Sequence, residues 1–173
     1  MKSESPASLR NMVRYSLLAS VATMLQMSAV LFPGPGRILA AFNTLPIALA
    51  AYIGPRGGFF CYLVSAWLAM TIMPAEMPVL VLCTAPLGLV LGWGVHYSLK
   101  DPVVILAGTI TFAAGMALMT LLLGIPAFGP LFAGKKFPVM FGFYTSFALA
   151  YSWAWLGLVK KIIRQMSKVG LDL

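Results

Sequence analysis

Residues 38–73 constrain this chain more than any other stretch. Two apolar runs, ILAAFNTLPIALAAYI and FFCYLVSAWLAMTIM, flank Gly54-Pro55-Arg56-Gly57-Gly58. Each run has about the length needed to cross a hydrocarbon core of ~30 Å at ~1.5 Å rise per residue. Pro55 disfavours helix at Gly54, and two glycines follow Arg56, so the spacing predicts a five-residue turn. A backbone crossing lipid must satisfy its own polar groups. The pair therefore reads as two helices joined outside the hydrocarbon.

The rest of the chain repeats this pattern. Only 9% of its 173 residues are charged and 61% are hydrophobic, whereas soluble domains are about a quarter charged. An integral membrane protein with one domain follows. Apolar runs separated by Pro, Gly and charged breaks predict six spans, over residues 11–32, 38–53, 57–73, 79–99, 103–124 and 137–159. Pro86 and Gly88 are kink points in the fourth. The expected fold is all-α: a single six-helix transmembrane domain over 11–163, a polar N-terminal tail over 1–10 and a basic tail over 164–173. The first apolar run is longer than a signal-peptide core, and no Ala-x-Ala site follows it, so it reads as a retained span.

Charge sets the expected orientation. The net charge is +8, from 12 basic and 4 acidic residues. In a soluble protein this would suggest nucleic acid; here the basic residues sit at span ends, and no nucleic-acid partner is expected. With six spans the termini share a side. That side holds Lys2, Arg10, Arg14, Arg56, Lys100, Lys160, Lys161, Arg164 and Lys168, against Arg37, Lys135 and Lys136 opposite. Both termini are thus expected in the cytoplasm.

Several chemistries lack their residues. The middles of the spans hold essentially no ionisable side chains, which argues against a self-sufficient proton-coupled pump. Sodium held by carbonyls at broken helices is a weaker alternative. His96 is the only histidine, and its neighbours Trp93 and Tyr97 suggest an interfacial aromatic belt. Glu4, Glu76, Asp101 and Asp172 are too scattered for a carboxylate pair or a two-metal site. Cys61 and Cys83 lie in apolar runs without metal or disulfide spacing. No P-loop motif is present. No enzyme activity, cofactor or metal is expected.

The side opposite the termini is better furnished. Gln26, Arg37, Asn43, Trp67, Glu76, Lys135, Lys136 and Tyr144 could build an outward-facing site of aromatic walls, hydrogen-bonding groups and charge. Blander roles remain open for each: interfacial anchors for Arg37, Lys135 and Lys136, a solvated loop charge for Glu76, interhelical hydrogen bonds for Gln26 and Asn43, and packing for Trp67 and Tyr144. In the first span, Ser16 and Ser20 are four apart, as are Ala19 and Thr23. Such small-residue spacing admits a second helix, from this chain or from a partner. The cationic tail VKKIIRQMSKV suits anchoring at a lipid surface, or contact with a partner.

Six short spans, both ends inside and no nucleotide motif resemble the substrate-binding S component of energy-coupling factor (ECF) vitamin transporters. Gly54-Pro55-Arg56-Gly57-Gly58 looks like the Gly-Pro-x-x-Gly turn of that family. The Asn43-x-x-Pro46 stretch and the Pro-rich first loop also fit. The family's Ala-x-x-x-Ala docking pattern is replaced here by Ser16/Ser20 or Ala19/Thr23. The resemblance implies a small water-soluble nutrient bound on the outer side of a prokaryotic plasma membrane. It also implies a membrane coupling protein and two ATPase subunits as partners. A non-transport membrane scaffold, or an S-component-like protein of an envelope complex, is the rival reading.

Overall fold

The computed structural model describes residues 6–32, 34–124 and 137–168. Every regular element among them is helical. In chain order these are α1 (Pro6–Leu31), α2 (Pro35–Ala41), α3 (Thr44–Ile53), α4 (Pro55–Ile72), α5 (Met77–Val79), a π turn (Leu80–Thr84), α6 (Ala85–His96), α7 (Asp101–Leu123) and α8 (Phe137–Lys168). Among the described residues, three stretches are long and apolar enough to cross a membrane: Pro35–Ile53, Met77–His96 and Asp101–Leu123.

The α3–α6 pair forms the middle of the bundle. Small residues let the two backbones meet: a Cβ at Gly92 would lie 2.3 Å from the Ala48 carbonyl oxygen, and one at Gly88 2.9 Å from that of Thr44. On one side, α1 and α4 close a core around Ala19, Ile47, Ala51, Cys61 and Leu80. On the other, α7 and α8 close a core around Leu87, Leu91, Phe112, Tyr144 and Leu156.

Contacts between helix ends define two ends of the bundle. At the first, Tyr15 lies against Gly57, the Trp93 indole donates to the Pro55 carbonyl at 3.3 Å, and Lys160 pairs with Asp101. At the second, the Ser28 hydroxyl donates to the Gly36 carbonyl at 2.8 Å, and the Thr120 and Tyr144 hydroxyls lie 3.1 Å apart. Arg10, Arg14, Arg56, Lys100, Lys160, Lys161, Arg164 and Lys168 belong to the first, basic end.

Several element boundaries differ from those read in the sequence. The break at residues 54–58 is a single extended residue, Gly54, and α4 begins at Pro55. Proline is tolerated at the first helical position, where its missing N–H would be unpaired anyway. Gly57 and Gly58 stay helical and serve close packing, with Cβ positions that would fall 2.0 Å from the Tyr15 ring and 2.5 Å from Ala51. α1 begins at Pro6, so part of the expected polar tail is helical. α8 runs unbroken to Lys168, through the basic residues assigned to a tail. Between α1 and α2, Gly34 adopts φ 100°, a backbone conformation that side chains disfavour.

Candidate functional site

Two helices are broken at places that face each other. The first break, at Phe42–Asn43, separates α2 from α3. Pro46 has no N–H to give the Phe42 carbonyl, so the turn tightens around it. The Leu45 N–H takes the Phe42 carbonyl at 3.0 Å, and the Asn43 N–H takes that of Ala40 at 3.1 Å. The Ala41 carbonyl instead accepts from the Tyr151 hydroxyl at 3.3 Å. The apolar pattern over residues 38–53 predicts one continuous span here, whereas the structure divides it into α2 and α3.

The second break is the π turn before Pro86. Here the Ala85 N–H reaches back to the Leu80 carbonyl, one residue further than in an α-helix. Pro86 offers no N–H to the Leu82 carbonyl, and α7 packs over that carbonyl at Gly115, where a Cβ would fall 1.9 Å from the oxygen.

A polar network joins the two breaks. The Asn43 amide donates to the Thr84 hydroxyl at 3.0 Å and to the Gln26 side-chain oxygen. Its own side-chain oxygen accepts from Thr44 at 3.4 Å. The Gln26 amide then donates to the Glu76 carboxylate at 3.0 Å. Gln26, Asn43, Thr44 and Thr84 are buried; Glu76 is half-buried at the N-terminus of α5. Buried amides and hydroxyls without partners would each cost about 1–3 kcal/mol, and mutual pairing offsets that cost.

An aromatic ladder adjoins the network. Tyr151 stacks on Phe112 with ring centroids 4.8 Å apart and meets Trp155 edge-on at 5.7 Å. Trp155 in turn meets Phe42, at the first break, at 5.2 Å. The Thr44 hydroxyl lies beside the Tyr151 phenol. The polar path therefore runs from Glu76 on one flank to Tyr151 on the other.

The structure brings together Gln26, Asn43 and Glu76. It keeps others of the anticipated set apart. Trp67 is 56% exposed on α4. Arg37 is exposed on α2. Tyr144 is buried between α7 and α8 beside Thr120. Lys135 and Lys136 lie outside the described residues. Thr84, Thr44 and Tyr151 join the site without having been singled out; the proline two residues beyond Thr44 and Thr84 was the available signal.

The two small-residue pairs of α1 separate by face. Ala19 and Thr23 are buried, and the Ser65 hydroxyl of α4 donates to the Ala19 carbonyl at 3.2 Å. The close approach that this pair permits is to α4. Ser16 and Ser20 are exposed and line an open groove with Leu9, Met12, Val13 and Leu17. Their hydroxyls bond back to the Met12 and Ser16 carbonyls, each at 3.0 Å. His96 lies at the basic end, its Nδ1 2.7 Å from the Tyr52 carbonyl oxygen.

The side chains of the network can exchange hydrogen bonds. Glu76 offers a charged acceptor at the half-exposed end. Gln26 behind it can both donate and accept. Among the described residues, no group of three His, Cys, Asp or Glu side chains is placed to hold a metal ion. Comparison with family models, with curated proteins and with solved structures finds no match.

Proposed function

We propose that this chain is a six-span membrane protein, with both termini cytoplasmic, that binds a small water-soluble nutrient on the outer side of a prokaryotic plasma membrane. In this reading it is the substrate-binding subunit of an ECF-type transporter. A membrane coupling protein and two ATPase subunits would supply the energy. The observation that carries the reading is the Glu76–Gln26–Asn43–Thr84 network, built where two helices are broken. Polar side chains and irregular backbone inside an apolar bundle are the usual materials of a solute site. The concentration of basic residues at the opposite end supports the orientation.

The test is to purify the protein, identify any co-purified small molecule by mass spectrometry, and measure its affinity for variants by calorimetry. A charge-assisted hydrogen bond contributes roughly 1.5–3 kcal/mol. Glu76→Ala should therefore weaken binding by about ten- to a hundredfold. His96→Ala, at the basic end, should leave it unchanged. The reverse pattern would put the site at the wrong end.

One observation favours the second reading, a non-transport membrane scaffold. The polar atoms of the Asn43 side chain are all partnered within the protein, as in a purely structural network. In that case no solute co-purifies, and Glu76→Ala changes only stability.

A further inference from the structure

The outward face of α8 changes character along its length. Val139, Phe143, Ser146, Ala150, Trp153 and Gly157 recur every three or four residues and so share one helical stripe. All six are exposed, Trp153 at 69%. The stripe continues through Lys161, Arg164 and Lys168, also all exposed. The opposite stripe is Ala148, Ser152, Trp155 and Val159, which is buried, followed by half-buried Ile162 and Met166. The helix thus keeps one face to the bundle throughout. Its other face is uncharged and, apart from Ser146, apolar to Gly157, then cationic.

The depth of this change is fixed by α7. Lys160 pairs with Asp101, the first residue of α7. From Phe137 to Val159, α8 matches the 23 residues of α7, a length of about 35 Å. That spans a hydrocarbon core of ~30 Å with little to spare. Lys161 therefore stands where the hydrocarbon gives way to lipid headgroups, and Arg164 and Lys168 follow within two further turns. Their side chains are exposed rather than packed against the bundle. Among the described residues, the acid at this end is Asp101, which is held by Lys160 on the other flank.

We propose that Lys161, Arg164 and Lys168 form a binding stripe for the headgroups of anionic phospholipids. Charge complementarity selects the occupant: three exposed cations at headgroup depth, continuous with a lipid-facing apolar stripe that receives the acyl chains. The proposal rests on the membrane placement put forward above and is independent of any transported solute.

The experiment uses the full chain in bilayers. Tryptophan fluorescence is quenched with brominated phosphatidylglycerol or brominated phosphatidylcholine, and the two curves give the relative affinity for anionic lipid. Each basic residue near an anionic surface contributes on the order of a fivefold factor. The native protein should prefer phosphatidylglycerol by at least about fivefold at low salt. Replacing the three together (Lys161→Gln, Arg164→Gln, Lys168→Gln) should abolish that preference. Raising the salt from about 0.05 to 0.5 M should weaken it in the native protein alone. A preference that survives in the triple variant overturns the proposal, as does its absence from the native protein. Failure of both lipids to quench would mean that the chain is not in the bilayer, and the membrane reading would fall with it.

Discussion

The two halves of the α3–α6 pair are held by opposite means. Towards the basic end the helices are regular, and their backbones meet through Gly88, Gly92, Ala48 and Ala51. Towards the other end both are interrupted, and Asn43, Thr84 and Gln26 take over from close packing. Small-residue contacts are short-ranged and intolerant of added volume. Hydrogen bonds between side chains can instead be exchanged for bonds to a solute at modest net cost. The zipped half has no room for such an exchange, and the broken half has the groups for it.

Substitutions can break or sharpen this contrast. The largest effect is expected in the zipped half. Gly92→Leu would drive a side chain into the Ala48 backbone, which lacks a flexible atom to yield. A loss of about 3 kcal/mol, near the top of the range for overpacking, is expected. Thermal unfolding in detergent should show it, and a variant as stable as the native protein would mean that the helices are not zipped.

The broken half should respond less. Asn43→Leu leaves the Gln26 oxygen and the Thr84 hydroxyl without their donor, at about 1–3 kcal/mol for a buried unsatisfied group. Changing Gln26, Asn43 and Thr84 to apolar residues together should recover much of that loss. Failure of the triple change to improve on the single one would argue that the network is more than a set of paired groups.

The smallest effect is expected at the basic rim. Lys160→Gln removes the ion pair with Asp101, whose side chains are 31% and 56% exposed. Solvent-exposed pairs are worth about 0–1 kcal/mol, so its melting curve should nearly overlay that of the native protein. A large drop would show that α7 and α8 depend on this pair as well as on their core.

Much of this was legible in the sequence, for identifiable reasons. Long apolar runs with Pro and Gly between them locate the helices. Gln26 and Asn43 stand out because polar side chains are rare in such runs, and Glu76 because it is the acid in the break between two of them. Their direct contact needed tertiary structure. Helical spacing alone could not decide between Ser16/Ser20 and Ala19/Thr23, since both pairs are four apart and sit on adjoining stripes. The break at Phe42–Asn43 was hidden because only backbone geometry shows how far back the effect of Pro46 extends. Trp67 and Tyr144 share the polar end in sequence terms but point, respectively, out of the bundle and into a different part of its core.

The π turn at Leu80–Thr84 has a consequence for what evolution or engineering can do with this region. A π turn is an α-helix that has accommodated one surplus residue. The wide turn, closed by the Ala85 N–H on the Leu80 carbonyl, absorbs that residue locally. Deleting one residue there would let the helix relax to uniform α form with Glu76 still on the side of Gln26. The same deletion inside α6 would instead turn everything beyond it by about 100°. The surplus residue is thus a point of slack: a single codon lost there is tolerated where one lost in the regular helix would pull the network apart.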